Sequence, residues 1–207
     1  MADDRWTITT EDELRALYPP VNERSRLKQI DHLDEHCRAF IAASPFFVIG
    51  TCGPAGVDCS PRGDPAGSVV VPDEKTLLIA DRRGNNRLDS LLNLLQNPAV
   101  GLLFLVPGVN ETLRVNGRAR ITTDPGLLAQ MAMDGRTPVT IIEVTVDEAF
   151  VQCGRALIRS ELWNPEARMD CTSVPSMGTM LAAHTRGAVD AASYDADLPD
   201  RLKRELY

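Results

Sequence analysis

Asp81-Arg82-Arg83-Gly84-Asn85-Asn86-Arg87-Leu88-Asp89-Ser90-Leu91 is the stretch on which the reading of this chain turns. It follows a short apolar strand, Thr76-Leu77-Leu78-Ile79-Ala80, and opens a helical run that ends near Asn97-Pro98. Three arginines and two asparagines therefore stand at a strand-turn-helix junction. A helix start exposes unpaired backbone N–H groups and the positive end of the helix dipole. Arg82, Arg83 and Arg87 beside it make a seat for a dianionic phosphate. A second reading stays open on this stretch alone: Asn85 or Asn86 caps the helix and the arginines are solvated.

Working outward, the elements on either side are mostly strands joined by tight turns. Phe46 to Cys52 and Val57 to Arg62 flank the turn Gly53-Pro54-Ala55-Gly56. Ser68 to Val71 and Thr76 to Ala80 read as another hairpin. Beyond the helix, expected over Asn85 to Gln96, come strands at Ala99 to Val106, Thr112 to Thr122 and Val139 to Val151, with a helix at Asp124 to Met133. Hairpins with few helical crossovers predict a mainly β, α+β fold, an antiparallel barrel rather than a doubly wound parallel sheet. The first 43 residues read as a helical extension. Thr10-Glu11-Asp12-Glu13 forms a capping box, and a helix over Asp31 to Ala43 places Leu33, Cys37, Phe40 and Ile41 on one face. The organisation expected is an extension over 1–43, a barrel over 44–153 and a tail over 154–207, with a short apolar helix near Met177 to Ala183 and a polar one over Pro199 to Tyr207.

The 207 residues carry a net charge of −7, which argues against a long polyanion such as DNA as partner. Nothing approaches the roughly 18 apolar residues of a membrane helix. The acidic, polar start Met1-Ala2-Asp3-Asp4-Arg5-Trp6 does not read as a signal peptide. Five cysteines without a C-x-x-C pair indicate neither a disulfide framework nor a zinc site, so a cytoplasmic, reducing setting is expected. His32 and His36 share a helix face but do not make an H-E-x-x-H motif, and no metal is expected.

Three further arginine groups bear on ligand binding. In Ser60-Pro61-Arg62-Gly63-Asp64, Arg62 either pairs an anion or polar ring edge in bidentate fashion or simply pairs Asp64. In Leu113 to Ile121, strand alternation puts Arg114, Asn116, Arg118 and Arg120 on one face, which meets solvent, an anion or an acidic partner. If 155–163 is helical, Arg155, Arg159 and Trp163 follow one another at one-turn intervals and suit a planar ligand, or Trp163 merely anchors the tail.

The run Ser60-Pro61-Arg62-Gly63-Asp64, then Ala80 to Arg87, then Asn97-Pro98-Ala99-Val100-Gly101-Leu102-Leu103-Phe104 resembles the pyridoxamine 5′-phosphate oxidase-like family. With Pro107-Gly108 and Thr112 to Gly117 it is similar to that family's branch of uncharacterised FMN-dependent flavoproteins, over about residues 31 to 165. The resemblance implies a Greek-key split β-barrel, non-covalent FMN, and a homodimer with sites at its interface. It implies that Asn86 and Arg87 hold the FMN phosphate, helped by the helix start, with Asn85 a further cofactor-binding candidate, that Ser60, Pro61 and Arg62 run along the isoalloxazine ring, and that Asp81 and Arg82 sit near ring or ribityl groups. Arg118 is a further candidate on the arginine strand, and Arg159, Ser160 and Trp163 are candidates to close the site from a second subunit. Near its end the chain reads Asp200-Arg201-Leu202-Lys203-Arg204-Glu205, without the Arg-Leu-x-Pro pattern of the vitamin B6 oxidases, and it has Asn85-Asn86-Arg87 where those show an Arg-Lys pair. Pyridoxamine phosphate is therefore not the implied substrate. The expectation is an FMN-dependent oxidoreductase acting on a small redox substrate, with no catalytic side chain assigned. The alternatives are a non-catalytic binder of flavin, deazaflavin or haem, and a regulatory protein whose arginine strand meets an acidic partner.

Overall fold

The computed structural model describes residues 6–205. Its strands are β1 (Phe46–Gly53), β2 (Gly56–Gly63), β3 (Thr76–Asp81), β4 (Ala99–Leu105), β5 (Thr112–Thr122) and β6 (Thr140–Gln152). Its helices are α1 (Glu11–Ala16), α2 (Glu23–Leu27), α3 (Glu35–Ala43), α4 (Asp89–Gln96), α5 (Pro125–Gln130), α6 (Arg155–Arg159), α7 (Met177–His184) and α8 (Ala191–Glu205). The strands hydrogen-bond in the order β2-β1-β4-β5-β6-β3, every pair antiparallel. The connection from β2 to β3 thus carries the chain from one edge of the sheet to the other. The sheet curls until these two edges approach without pairing, which makes an antiparallel split barrel.

The curl encloses the apolar face of each strand. On β4, Val100, Leu102 and Phe104 point inward, and on β5 Leu113, Val115 and Ala119 do so, as alternation requires. Phe47 and Phe104 stack at 5.1 Å between ring centroids. Fully burying side chains of this size stabilises the fold by about 1.5–3 kcal/mol each. Opposite Asn116 and Gly117 the register shifts, leaving Asp147 of β6 as an extra residue, a β-bulge that bends β6 against β5. A Cβ at Gly117 would lie 2.1 Å from the Thr145 carbonyl oxygen, so the close approach of β5 to β6 requires glycine.

Two helices close the barrel. α3 seals one end with Leu33, Cys37 and Ile41 buried, and Asp34 Oδ1 accepts from Cys37 N at 2.7 Å as its cap. That cap starts the helix later than the expected Asp31. α4 lies on β1, where Asn93 Nδ2 donates to Thr51 Oγ1 at 3.1 Å and Leu94 is buried.

Other boundaries differ from expectation for local reasons. Of the hairpin expected over Ser68 to Val71, the Val70–Leu78 bridge forms. α5 spans less than the expected Asp124 to Met133. The last helix begins at Ala191, eight residues before Pro199, which lies inside it. Its expected end at Tyr207 lies outside the described residues. The Thr10–Glu13 capping box is present, with Thr10 Oγ1 accepting from Glu13 N and Glu13 Oε2 from Thr10 N, both at 3.2 Å. α7 and α8 pack on each other, held where Asp195 Oδ1 accepts from Gly178 N at 2.8 Å.

Candidate functional site

A cavity of about 590 Å³ opens along the seam between β2 and β3. Its size falls within the usual range for a small-molecule or cofactor site. β2 contributes Ser60, Pro61 and Arg62, β3 contributes Ile79, Ala80 and Asp81, and the 82–91 segment forms one end. Ion pairs cross the seam in both directions. Arg82 Nε donates to Asp64 Oδ2 at 2.8 Å, and Arg62 Nη2 lies 3.9 Å from Asp81 Oδ1. Of the two readings left open for Arg62, the pairing with Asp64 does not form: Asp64 takes Arg82 and Arg62 faces Asp81, an exchange of partners across the seam. Asp81 is largely buried, and burial pushes its carboxyl above the usual carboxylate range while Arg62 pulls it partly back.

The 84–88 segment does not begin the helix at Asn85. Asn85 Oδ1 accepts from Arg87 N at 3.0 Å, an Asx turn. Asn86 and Leu88 adopt left-handed backbone with φ of 58° and 61°, which interrupts any right-handed helix before Asp89. Leu88 occupies the cap position and no side chain caps α4, so neither asparagine is the cap. The first-turn N–H groups of α4 are left open beside the cavity. Arg87 reaches back to Asp89 at 2.8 Å, whereas Arg83 makes no ion pair among the described residues. Arg83 lines the cavity rim as an uncommitted cation.

The floor of this end is polar. Ser90 is buried and its Oγ donates to Ser60 Oγ at 3.3 Å and Asp58 Oδ2 at 3.4 Å, tying the α4 start to β2. On the wall beside Asp81, Thr140 Oγ1 is buried with no hydrogen-bond partner among the described residues. Buried polar atoms are rarely left so.

Of the residues singled out from sequence, Ser60, Pro61, Arg62, Asp81, Arg82, Asn85, Asn86 and Arg87 meet around this one cavity. Arg118, Arg159, Ser160 and Trp163 do not line it. Arg118 is exposed on β5, whose other arginines are engaged elsewhere: Arg120 Nη2 donates to Glu143 at 2.8 Å and Arg114 stacks over Phe150 at 5.0 Å. α6 stops at Arg159, Ser160 follows as its C-cap, and Glu161 takes a φ of 51°, so Trp163 does not continue a helical face with Arg155 and Arg159. Trp163 Nε1 instead donates to the Val109 carbonyl oxygen at 2.8 Å. Ser90, Thr140 and Asp64 are lining residues that the sequence reading left out of its candidate set. Thr140 carried no signal because its place depends on the pairing of β3 with β6.

His32 and His36 each approach the carboxylate of the preceding residue, Asp31 and Glu35. No group of three metal-ligating side chains occurs among the described residues. No helix among them is long and apolar enough to cross a membrane.

Several solved structures are similar in fold at low identity. HupZ of Group A Streptococcus shares 17% identity, with 58% of this chain and 94% of that chain covered at a TM-score of 0.48. General stress protein 26 of Bacillus anthracis shares 16%, covering 55% and 88%, at a TM-score of 0.44. An FMN-binding protein of Syntrophomonas wolfei shares 8%, covering 55% and 86%, at a TM-score of 0.42. No curated protein matches the chain. The family model described as pyridoxamine 5′-phosphate oxidase matches residues 33–153, from the last residues before α3 through β6 and so across the whole split barrel and its cavity. On that match, the chain belongs to the pyridoxamine 5′-phosphate oxidase family.

Proposed function

We propose that the seam cavity binds FMN without a covalent link and that the protein is an FMN-dependent oxidoreductase working as a homodimer. The observation that carries this reading is the junction of an uncapped α4 start with Arg83, Arg87, Asn85 and Asn86 at one end of a 590 Å³ cavity. That end suits a dianionic phosphate, which takes N–H donors, a helix N-terminus and guanidinium groups together. The carboxylates of Asp89 and Asp58 stand close to it and temper its charge, so the seat needs both arginines. The body of the cavity, between Pro61 and Ile79, suits a flat ring system. The unpartnered Thr140 Oγ1 is a polar atom for which a bound ring edge or ordered water would account.

Bound FMN supplies two-electron redox chemistry through its ring system. In this reading Arg62 holds positive charge on the β2 wall, where it would favour a reduced, anionic ring, and Asp81 moderates that charge from across the seam. Ser60, fixed by Asp58 and Ser90, orients the ring edge or the ribityl chain. Arg82, fixed by Asp64, holds the seam closed around the ligand. Arg118, Arg159, Ser160 and Trp163, which stand outside the cavity of their own chain, would meet the cofactor of a second copy. Among the described residues that line this cavity there is no His, Cys, Met or Tyr to ligate a haem iron, which favours a flavin over a haem.

The test is the absorption spectrum of the purified protein, with chromatography of whatever heat releases. Oxidised-flavin bands and released FMN are expected. A colourless protein that fails to take up added FMN overturns the reading. Bound FMN that no pyridine nucleotide or small reductant turns over would leave a flavin carrier and remove the enzymatic part.

A further inference from the structure

We infer that the N-terminal arm, residues 7–29, lies across a second copy of this chain. The inference rests on the homodimer proposed above. The arm holds two helices with sound starts: the Thr10–Glu13 capping box opens α1, and Asn22 Oδ1 accepts from Arg24 N at 2.9 Å to open α2. With six and five residues, each is far below the length at which a helix holds in water on its own. Helices so short persist by tertiary packing, yet neither buries a single residue within its own chain.

The arm is also apolar where it should not be if it faced water. Leu14, Leu17, Tyr18, Val21 and Leu27 are exposed, Leu17 by 66% and Leu27 by 71%. A run of such residues on one segment marks a covered surface. Its root is fixed. Ile30 N donates to Ala149 O at 3.0 Å and Ala149 N to Ile30 O at 2.7 Å, and Leu33 is buried three residues on. The arm leaves the barrel at a defined point on β6.

Surface area indicates what covers it. The chain exposes 14,224 Å², against about 9,500 Å² for a compact monomer of this size, an excess of about 4,700 Å². Obligate dimer interfaces remove on the order of 1,000–2,500 Å² from each partner. A contact between two barrels alone therefore leaves much of the excess in water, and projecting segments that cross to the other copy remove it. Charge argues against other occupants. Glu11, Asp12, Glu13 and Glu23 balance Arg15, Arg24, Arg26 and Lys28, so the arm has neither the basic face that an anionic membrane attracts nor a net charge to draw an ionic partner.

The experiment replaces Leu17 by the photo-crosslinking residue p-benzoylphenylalanine in the full-length chain, co-expressed with an affinity-tagged wild-type copy. Complexes recovered through the tag are irradiated and their masses read. A covalent species combining one probe-bearing and one tagged chain, with Leu17 joined to a peptide of the tagged chain, is expected. Recovery of the mixed dimer with cross-links only inside the probe-bearing chain, or none, overturns the arm's placement and leaves the dimer standing. Failure to recover mixed complexes, with a monomeric mass by light scattering at micromolar concentration, overturns both. As a second readout, the Leu14→Ser, Leu17→Ser double variant should dissociate at a concentration at least about tenfold higher than wild type with its circular dichroism unchanged, and unaltered dissociation counts against the inference.

Discussion

Arg62 and Asp81 face each other across the seam of the barrel at 3.9 Å, from strands that share no hydrogen bond. Burial raises the Asp81 carboxyl above the usual carboxylate range, and Arg62 offsets part of that shift. The folded chain therefore binds protons at Asp81 more readily than the unfolded chain. The group's contribution is most favourable at low pH and declines as pH rises from the unfolded value through the folded one. Removing Arg62 takes away the offset and deepens that decline. Arg62→Ala is expected to cost little below about pH 4 and about 1–2 kcal/mol near neutrality, read by thermal unfolding at both pH values. An equal loss at both would show that the pairing is not its source.

The proposed phosphate seat predicts an order of effects. Arg83 has no ion pair among the described residues, whereas Arg87 already engages Asp89. Arg83→Ala should weaken FMN binding by about ten- to a hundredfold, and Arg87→Ala by the same or less. Fluorescence titration of FMN into apoprotein measures both. Unchanged affinity in both variants would remove the phosphate assignment.

Leu88 holds a left-handed backbone at the α4 cap without a capping side chain. Leu88→Gly should relieve about 1 kcal/mol of strain and raise the melting temperature by about 2–4 °C. A melting temperature at or below wild type would mean that packing of the leucine outweighs its strain.

Gly117→Ala places a methyl group against the Thr145 carbonyl at the β-bulge. Backbone cannot yield there as a flexible side chain would, so a loss of about 1–3 kcal/mol or more is expected in denaturant unfolding. A wild-type midpoint would show that the bulge relaxes freely.

Trp163→Phe keeps an aromatic ring but loses the hydrogen bond to Val109. If the tail reaches the flavin of a second copy, Trp163→Phe and Trp163→Ala should both raise the emission of bound FMN. Spectra identical to wild type would confine Trp163 to anchoring the tail on the 107–110 turn.

Much of the barrel was legible because each strand carries its own signal. Alternation along Leu113 to Ile121 and the apolar run from Ala99 declare buried faces without reference to neighbours. The stretch Asp81 to Leu91 marked the end of the cavity, since strand, turn and helix signals meet there. The helix start within it was misread because Asn85 and Asn86 are good cap residues, and nothing local forces Leu88 to take φ near 61°. Sequence left Arg62 between a ligand and Asp64, its nearest carboxylate in the chain, because the pairing with Asp81 exists only once the sheet has curled. The tail was least legible. Gly154 to Tyr207 has little core of its own, and Pro199 reads as a helix start although α8 carries it inside.

The sheet order has a consequence for when the cavity can exist. β2 is set against β1 by the local turn between Gly53 and Gly56, so that wall forms as soon as its hairpin closes. Apart from the local bridge from Leu78 to Val70, β3 pairs among the described residues only with β6, Asp81 opposite Thr140 and Thr76 opposite Thr145. A chain emerging from the ribosome holds one jaw of the site ready and must wait for the other until residues far downstream have been made. If the cavity binds its ligand as proposed, capture must wait until the barrel is complete, and a truncated product lacking β6 would leave the apolar strand β3 with only its bridge to Val70, open to the machinery that clears incomplete chains.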